Sequence, residues 1–137
     1  NENRNKQIRV LLIDEYGALI SAQDKKNAEE LKTMVANMLF MGRSLGIRVL
    51  IGVQRADAEH FKAGARDQFR AILALGDLSK EQKQMLFTDY KDKMDRHSNG
   101  IGEGYLLVDG RGIERVKIAP IKDIETHNDM IRQAMNR

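Results

Sequence analysis

The chain has 137 residues, 42% hydrophobic and 31% charged, enough apolar content to bury one core and enough charge to stay in solution. It has no cysteine, which excludes a disulfide framework and a thiolate metal site and fits a reducing compartment. A net charge of +3 permits a nucleic-acid partner without demanding one; no apolar run approaches the roughly 18 residues of a membrane helix, and the polar opening NENRNKQ is no signal peptide.

In chain order, VLLI follows the basic Arg9 as a continuous, β-branched-rich run, the pattern of a strand buried on both faces of a parallel sheet. Ser21 with Asp24 three residues on resembles a capping box. Leu31, Met34, Val35, Met38, Leu39, Gly42 and Leu45 then fall at helical spacing, predicting one long amphipathic helix that Gly46 ends. IRVLIGVQ, residues 47 to 54, repeats the first pattern, so strand, helix and strand form a right-handed βαβ unit. Residues 55 to 69 read as a loop with a short helix, and AILAL, 71 to 75, as a third strand. Ser79 and Gln82 form a second capping box, opening a helix through Phe87. DYKDKMDRHSNGIGEG reads as an exposed loop, and GYLLVDGRGIERVKIA as a closing β-hairpin around Asp109-Gly110. The tail, 121 to 137, is a predicted helix. There is no internal repeat, and the fold class is α/β.

In open α/β sheets, ligands sit outside the carboxyl ends of the strands. Asp14 and Glu15 lie at one such end and Gln54 at another. A nucleotide hydrolase needs this set: one carboxylate to hold Mg²⁺, a neighbour to polarise the attacking water, and a polar side chain to sense the γ-phosphate. Four apolar residues followed by Asp-Glu is the Walker B pattern. The same pattern also starts any polar loop after a buried strand; Gln54, on a neighbouring strand, favours the functional reading. His60, His97 and His127 are scattered without a second ligand at helical spacing, which argues against a metal site built on them. The methionines of the long helix read as core filler. Gly100, Gly102 and Gly104 have neither a preceding strand nor a following Lys-Ser/Thr, and so read as a loop before a strand.

VLLIDEYGALI, then MGRSLGIRVLIGVQRA, then GEGYLLVDGRGIERVKI resembles the FtsK/SpoIIIE family of hexameric DNA translocases, over roughly residues 8 to 118 and in the family's order. GDLSKEQKQMLF looks more like the FtsK-type ATPases of conjugative elements, where they act as coupling proteins. The resemblance implies a partial RecA-like P-loop fold with a parallel sheet core and a C-terminal β-hairpin, comprising the C-terminal part of the ATPase domain (8–118) and a helical tail (119–137). It implies that Asp14 positions Mg²⁺, that Glu15 is the catalytic glutamate, and that Arg43 is presented to the nucleotide of the neighbouring subunit. Gln54 matches the sensor glutamine of the family's Thr-Gln-Arg-Pro motif, although this chain reads Val-Gln-Arg-Ala and lacks the proline. Arg55, Arg66 and Lys83 fall where the family's DNA-facing basic residues lie, while Lys62, Arg70 and Lys80 are equally basic neighbours.

No G-x-x-x-x-G-K-[ST] occurs in the chain. In the family that motif lies upstream of Walker B. The Walker A half of the site is therefore expected on a segment N-terminal to Asn1, and this chain alone is expected to hydrolyse ATP negligibly. The parent implied by the resemblance is an ATP- and Mg²⁺-dependent translocase of double-stranded DNA, a hexamer working with membrane transfer-channel proteins in conjugation. It would be cytoplasmic, or held at the cytoplasmic face of the membrane by a segment outside this chain. Two alternatives stay open: a non-catalytic DNA-binding or oligomerisation module, and an FtsK-type ATPase of a protein-secretion system.

Overall fold

The computed structural model describes residues 8–94 and 99–136, so His97 lies outside the described residues. Strand β1 (Arg9–Ile13) is followed by a short helix α1 (Tyr16–Ser21), a long helix α2 (Lys25–Met41), a 3-10 turn (Gly42–Leu45) and strand β2 (Ile47–Ile51). Two more 3-10 turns, Ala58–His60 and Arg66–Gln68, lead to β3 (Ala71–Leu75) and α3 (Lys80–Leu86). The chain closes with β4 (Glu103–Val108), β5 (Gly112–Lys117) and α4 (Ile124–Met135).

β1 and β2 pair in parallel, Arg9 opposite Ile47 through Ile13 opposite Ile51, as the crossover helix requires. The long-helix reading needs two corrections. Ser21 is the last residue of α1, a helix the sequence pattern did not reveal, because its apolar stretch merges with the strand before it. The cap of α2 is Asp24, whose carboxylate accepts from Asn27 N at 2.9 Å. At the other end α2 stops at Met41 and tightens into the 3-10 turn before Gly46, which takes the left-handed conformation (φ 76°). α1 and α2 cover one face of the parallel pair: Tyr16, Ile20 and Val35 form a buried cluster joined by Ile13, Leu31, Leu39, Ile51, Val53 and Phe61.

The other face of β1 and β2 is bare. Val10, Leu12 and Leu50 are 66%, 64% and 60% exposed, so the expectation of burial on both faces holds for one face only. The alternation of the strand sends these three side chains away from α1 and α2, and Leu50 borders the cavity between β2 and β3. The methionine reading also needs correcting: Met34 and Met41 are mostly exposed, beside Leu45, and the core of α2 is Val35 and Ala36 instead.

β3 is the predicted third strand, but it joins a separate antiparallel sheet in the order β3-β4-β5. The β4–β5 hairpin turns at Asp109-Gly110 as expected. The second capping box is complete, with Ser79 Oγ accepting from Gln82 N and Gln82 Oε1 accepting from Ser79 N. α3 packs on this sheet around Ala74, Phe87, Met94 and Tyr105. Met94 is buried there with Tyr90 against it, so the segment read as an exposed loop contributes to the core: Tyr90 and Met94 flank the turn Lys91–Lys93, whereas Ile101 is fully exposed. Among the described residues no helix is long and apolar enough to cross a membrane.

Candidate functional site at the carboxyl ends of the parallel strands

The pairing of β1 with β2 continues beyond the regular strands. Gly52 N donates to Ile13 O at 2.8 Å, and Tyr16 N donates to Gly52 O at 3.0 Å. Between these bonds the Asp14 carbonyl presses on Gly52: a Cβ built there would sit 2.2 Å from the Asp14 oxygen. Only glycine allows so close an approach. Tyr16 then turns inward and is fully buried against Phe61, ring centroids 5.2 Å apart. Burial raises the pKa of the Tyr16 phenol, since the phenolate would lose its water.

This arrangement carries Glu15 across to the neighbouring strand. Its two carboxylate oxygens lie 3.2 and 3.4 Å from Gln54 N and accept that N–H. Asp14 stands exposed beside it, and its carboxylate makes no hydrogen bond or ion pair among the described residues. The structure therefore brings Asp14, Glu15 and Gln54 to one place. Among the described residues no group of three His, Cys, Asp or Glu side chains could hold a metal by itself. Mg²⁺ in a nucleotide site takes one or two carboxylates and completes its shell with water and phosphate oxygens. Asp14 has the free carboxylate such a partnership requires.

Arg43 lies elsewhere. It sits in the turn before β2, and Arg9 N donates to Gly46 O at 2.9 Å beside it, so it belongs to the amino ends of both strands. Five strand residues separate those ends from Glu15, about 16 Å at ~3.3 Å per residue. Within one chain Arg43 is thus directed away from the carboxylates. It is exposed, next to a groove lined by Met34, Met38, Met41, Leu45 and Ile47.

Of the basic residues, Arg55 follows Gln54 directly and is exposed. Arg66 is half-buried, 3.7 Å from the Asp67 carboxylate. It shares with Gln54, Phe61, Phe69, Ile72 and Gln82 the lining of a cavity of about 520 Å³ between β2 and β3. Lys83 lies on α3 beside Gln82 and, like Arg55, has no ion pair among the described residues. Their equally basic neighbours are partly engaged: Lys62 pairs with Glu29, and Arg70 lies 3.9 Å from Asp109.

Two features of the site escaped the sequence reading. His60 packs its imidazole against Gly17, at a point that the Glu15 carboxylate also borders, and Lys62 ties the loop after Gln54 to α2 through Glu29, which also takes Lys32 at 3.0 Å. Hydrogen bonds from Lys62 and Lys32 lower the Glu29 pKa to about 2. Both features depend on where an irregular loop lands, which no periodicity reports.

A parallel βαβ unit with paired carboxylates at its carboxyl end, followed by an antiparallel hairpin sheet, is part of a RecA-like P-loop nucleotide-hydrolase fold. Comparison with known proteins agrees. No protein-family model matches the chain. It is 32% identical over 98 residues, 72% of this chain, to the FtsK domain-containing protein YdcQ of Bacillus subtilis (strain 168), and spans 20% of that protein. Its fold is similar to part of the cytoplasmic domain of the Thermomonospora curvata type VII secretion ATPase EccC. There the TM-score is 0.60 at 22% identity, over 85% of this chain and 13% of that one. The chain belongs with the FtsK-type proteins, the family its motifs resemble, and corresponds to a fraction of their length.

Proposed function

We propose that the chain is the C-terminal part of an FtsK-type motor domain, residues 8–118 followed by the tail 119–137, from an ATP-driven translocase of double-stranded DNA acting in conjugative transfer. The observation that carries this reading is the Glu15 carboxylate bound to the Gln54 backbone across the carboxyl ends of two parallel strands, with Asp14 free beside it. In this reading Asp14 holds Mg²⁺, which supplies charge neutralisation for the phosphates of ATP. Glu15 orients and polarises the attacking water, and the Gln54 side chain contacts the γ-phosphate.

Arg43 then serves a neighbouring copy. Its place at the opposite end of the strands supports this, and the exposed Met34, Met41 and Leu45 beside it offer apolar surface for a subunit contact. A hexamer follows from the family resemblance. Arg55, Arg66 and Lys83 face the DNA backbone, as a motor indifferent to base sequence requires. The protein works in the cytoplasm or at the cytoplasmic face of the membrane, beside transfer-channel proteins.

The phosphate-cradling Walker A segment lies outside these 137 residues, so the chain alone hydrolyses ATP negligibly. Supporting this, β2 and β3 both present unpaired outer edges to the cavity between them, and an unpaired strand edge calls for a partner.

The test is Glu15→Gln in the intact FtsK-type protein that contains this segment. Turnover should fall by a factor of about 10² or more while nucleotide binding persists; unchanged turnover refutes the assignment. The fold similarity to a secretion ATPase supports a second reading, with a polypeptide as the moving substrate. Stimulation of ATP hydrolysis by duplex DNA supports translocation of DNA; its absence favours the second reading.

A further inference from the structure

The imidazole of His60 has no part in the proposed function. Its Nδ1 is sealed from solvent and has no hydrogen-bond partner among the described residues, whereas buried polar atoms are almost always paired. The ring is held in place from the backbone, His60 N donating to Asp57 O at 3.2 Å. It reaches α1 because residue 17 is glycine. A Cβ on Gly17 would lie 3.0 Å from His60 Cε1, 3.5 Å from His60 Nδ1 and 3.3 Å from Glu15 Oε1. The imidazole nitrogen and the carboxylate oxygen therefore border one small gap that a single methyl group would fill.

Glu15 has acceptor capacity to spare. A carboxylate offers about four lone-pair sites, and the hydrogen bond recorded for it comes from the Gln54 N–H. The other sealed polar atom close in sequence is the Tyr16 hydroxyl, also without a partner, but its ring is committed to the apolar cluster with Phe61, Val35 and Ile20. Glu15 is the charged acceptor at the gap.

We propose that His60 is a positioning residue for Glu15: its Nδ1–H is a second donor to the carboxylate, and with the Gln54 N–H it sets which way Glu15 faces. Two donors on one carboxylate fix its plane, whereas one leaves it free to rotate. A neutral imidazole can do this only as the Nδ1–H tautomer, with Nε2 left as the acceptor. The consequence for turnover rests on Glu15 being the water-orienting group; the contact itself does not.

Two measurements separate the contact from its consequence. In the ¹⁵N-labelled 137-residue chain, at a pH where imidazoles are neutral, ring nitrogen–proton correlations should show His60 as the Nδ1–H tautomer. Glu15→Ala and Gly17→Ala should each return it to Nε2–H, and Tyr16→Phe should leave it unchanged. An Nε2–H tautomer in the unaltered chain overturns the proposal, as does an Nδ1–H tautomer that survives Glu15→Ala. In the intact FtsK-type protein, His60→Leu should lower kcat about tenfold with KM for ATP unchanged. His60→Asn, whose side-chain NH₂ occupies the place of Nδ1, should restore it. Loss without rescue, or no loss, removes the positioning role. Absence of any ATP hydrolysis in that protein refutes the proposed function instead, and the tautomer still decides the contact.

Discussion

The two sheets of this chain differ in how far they complete themselves. The antiparallel β3-β4-β5 sheet buries one face under α3, with Phe87 1% and Tyr105 4% exposed, and leaves Leu73 and Leu75 of β3 about half exposed on the other. The parallel β1-β2 pair buries Tyr16 fully on one side and leaves Val10 and Leu12 about two-thirds exposed on the other. Of the two bare faces, the one on the half that carries the carboxylates is the more exposed. The hairpin half stands as local packing, whereas Asp14 and Glu15 sit at the end of strands that only a larger sheet would enclose.

Glycine contacts offer the hardest test of that contrast. A Cβ on Gly104 would lie 2.0 Å from Ala74 O and one on Gly52 2.2 Å from Asp14 O, so Gly104→Ala wedges β4 from β3 and Gly52→Ala wedges β2 from β1. Each should cost about 3 kcal/mol or more. They should differ in what is lost: Gly104→Ala should abolish the near-ultraviolet dichroism of Tyr105 and the cooperative thermal transition, whereas Gly52→Ala should retain that signal while Glu15 loses its hold on Gln54.

Next in size, Phe87→Ala should destabilise the chain by about 3–5 kcal/mol through the cavity it leaves. Leu12→Ala, on the bare face, should change the unfolding free energy from denaturant titration by no more than about 0.5 kcal/mol. Equal effects would mean that the parallel pair is covered in solution after all.

The smallest effect is electrostatic. Glu29 has its pKa lowered to about 2 by hydrogen bonds from Lys62 and Lys32. A depressed carboxylate pKa contributes stability that is full above its unfolded value of 4.5 and is lost as pH falls through about 2. Acid titration of stability should therefore show a component across that window that Glu29→Gln removes. Because Glu29 and Lys62 are substantially exposed, salt should weaken it.

Much of this was legible in the residues. Periodicity found every regular strand and α2, because β-branched runs and a 3.6-residue apolar stripe each report their own geometry. The Ser79 and Gln82 pair announced α3, and Asp109-Gly110 announced the hairpin. Asp14, Glu15 and Gln54 were readable as a group because parallel strands bring their carboxyl ends together. What was not legible depended on placement: α1 hid behind an apolar run continuous with β1, and Met94 lay in a polar stretch. β3 had no pattern to say which sheet it would join. His60 and Lys62 reach the site only through the path of an irregular loop.

The central claim is that Glu15 and Arg43, at opposite ends of the same strands, complete one site only when two copies meet. The direct test mixes two variants of the intact FtsK-type protein, Glu15→Gln and Arg43→Ala, each expected to be inactive alone. If the arginine acts across a subunit boundary, mixed assemblies should regain part of the ATP turnover, because some interfaces then pair an intact Glu15 with an intact Arg43. Turnover that stays at the level of the separate variants at every mixing ratio, in assemblies shown to exchange subunits, would contradict it.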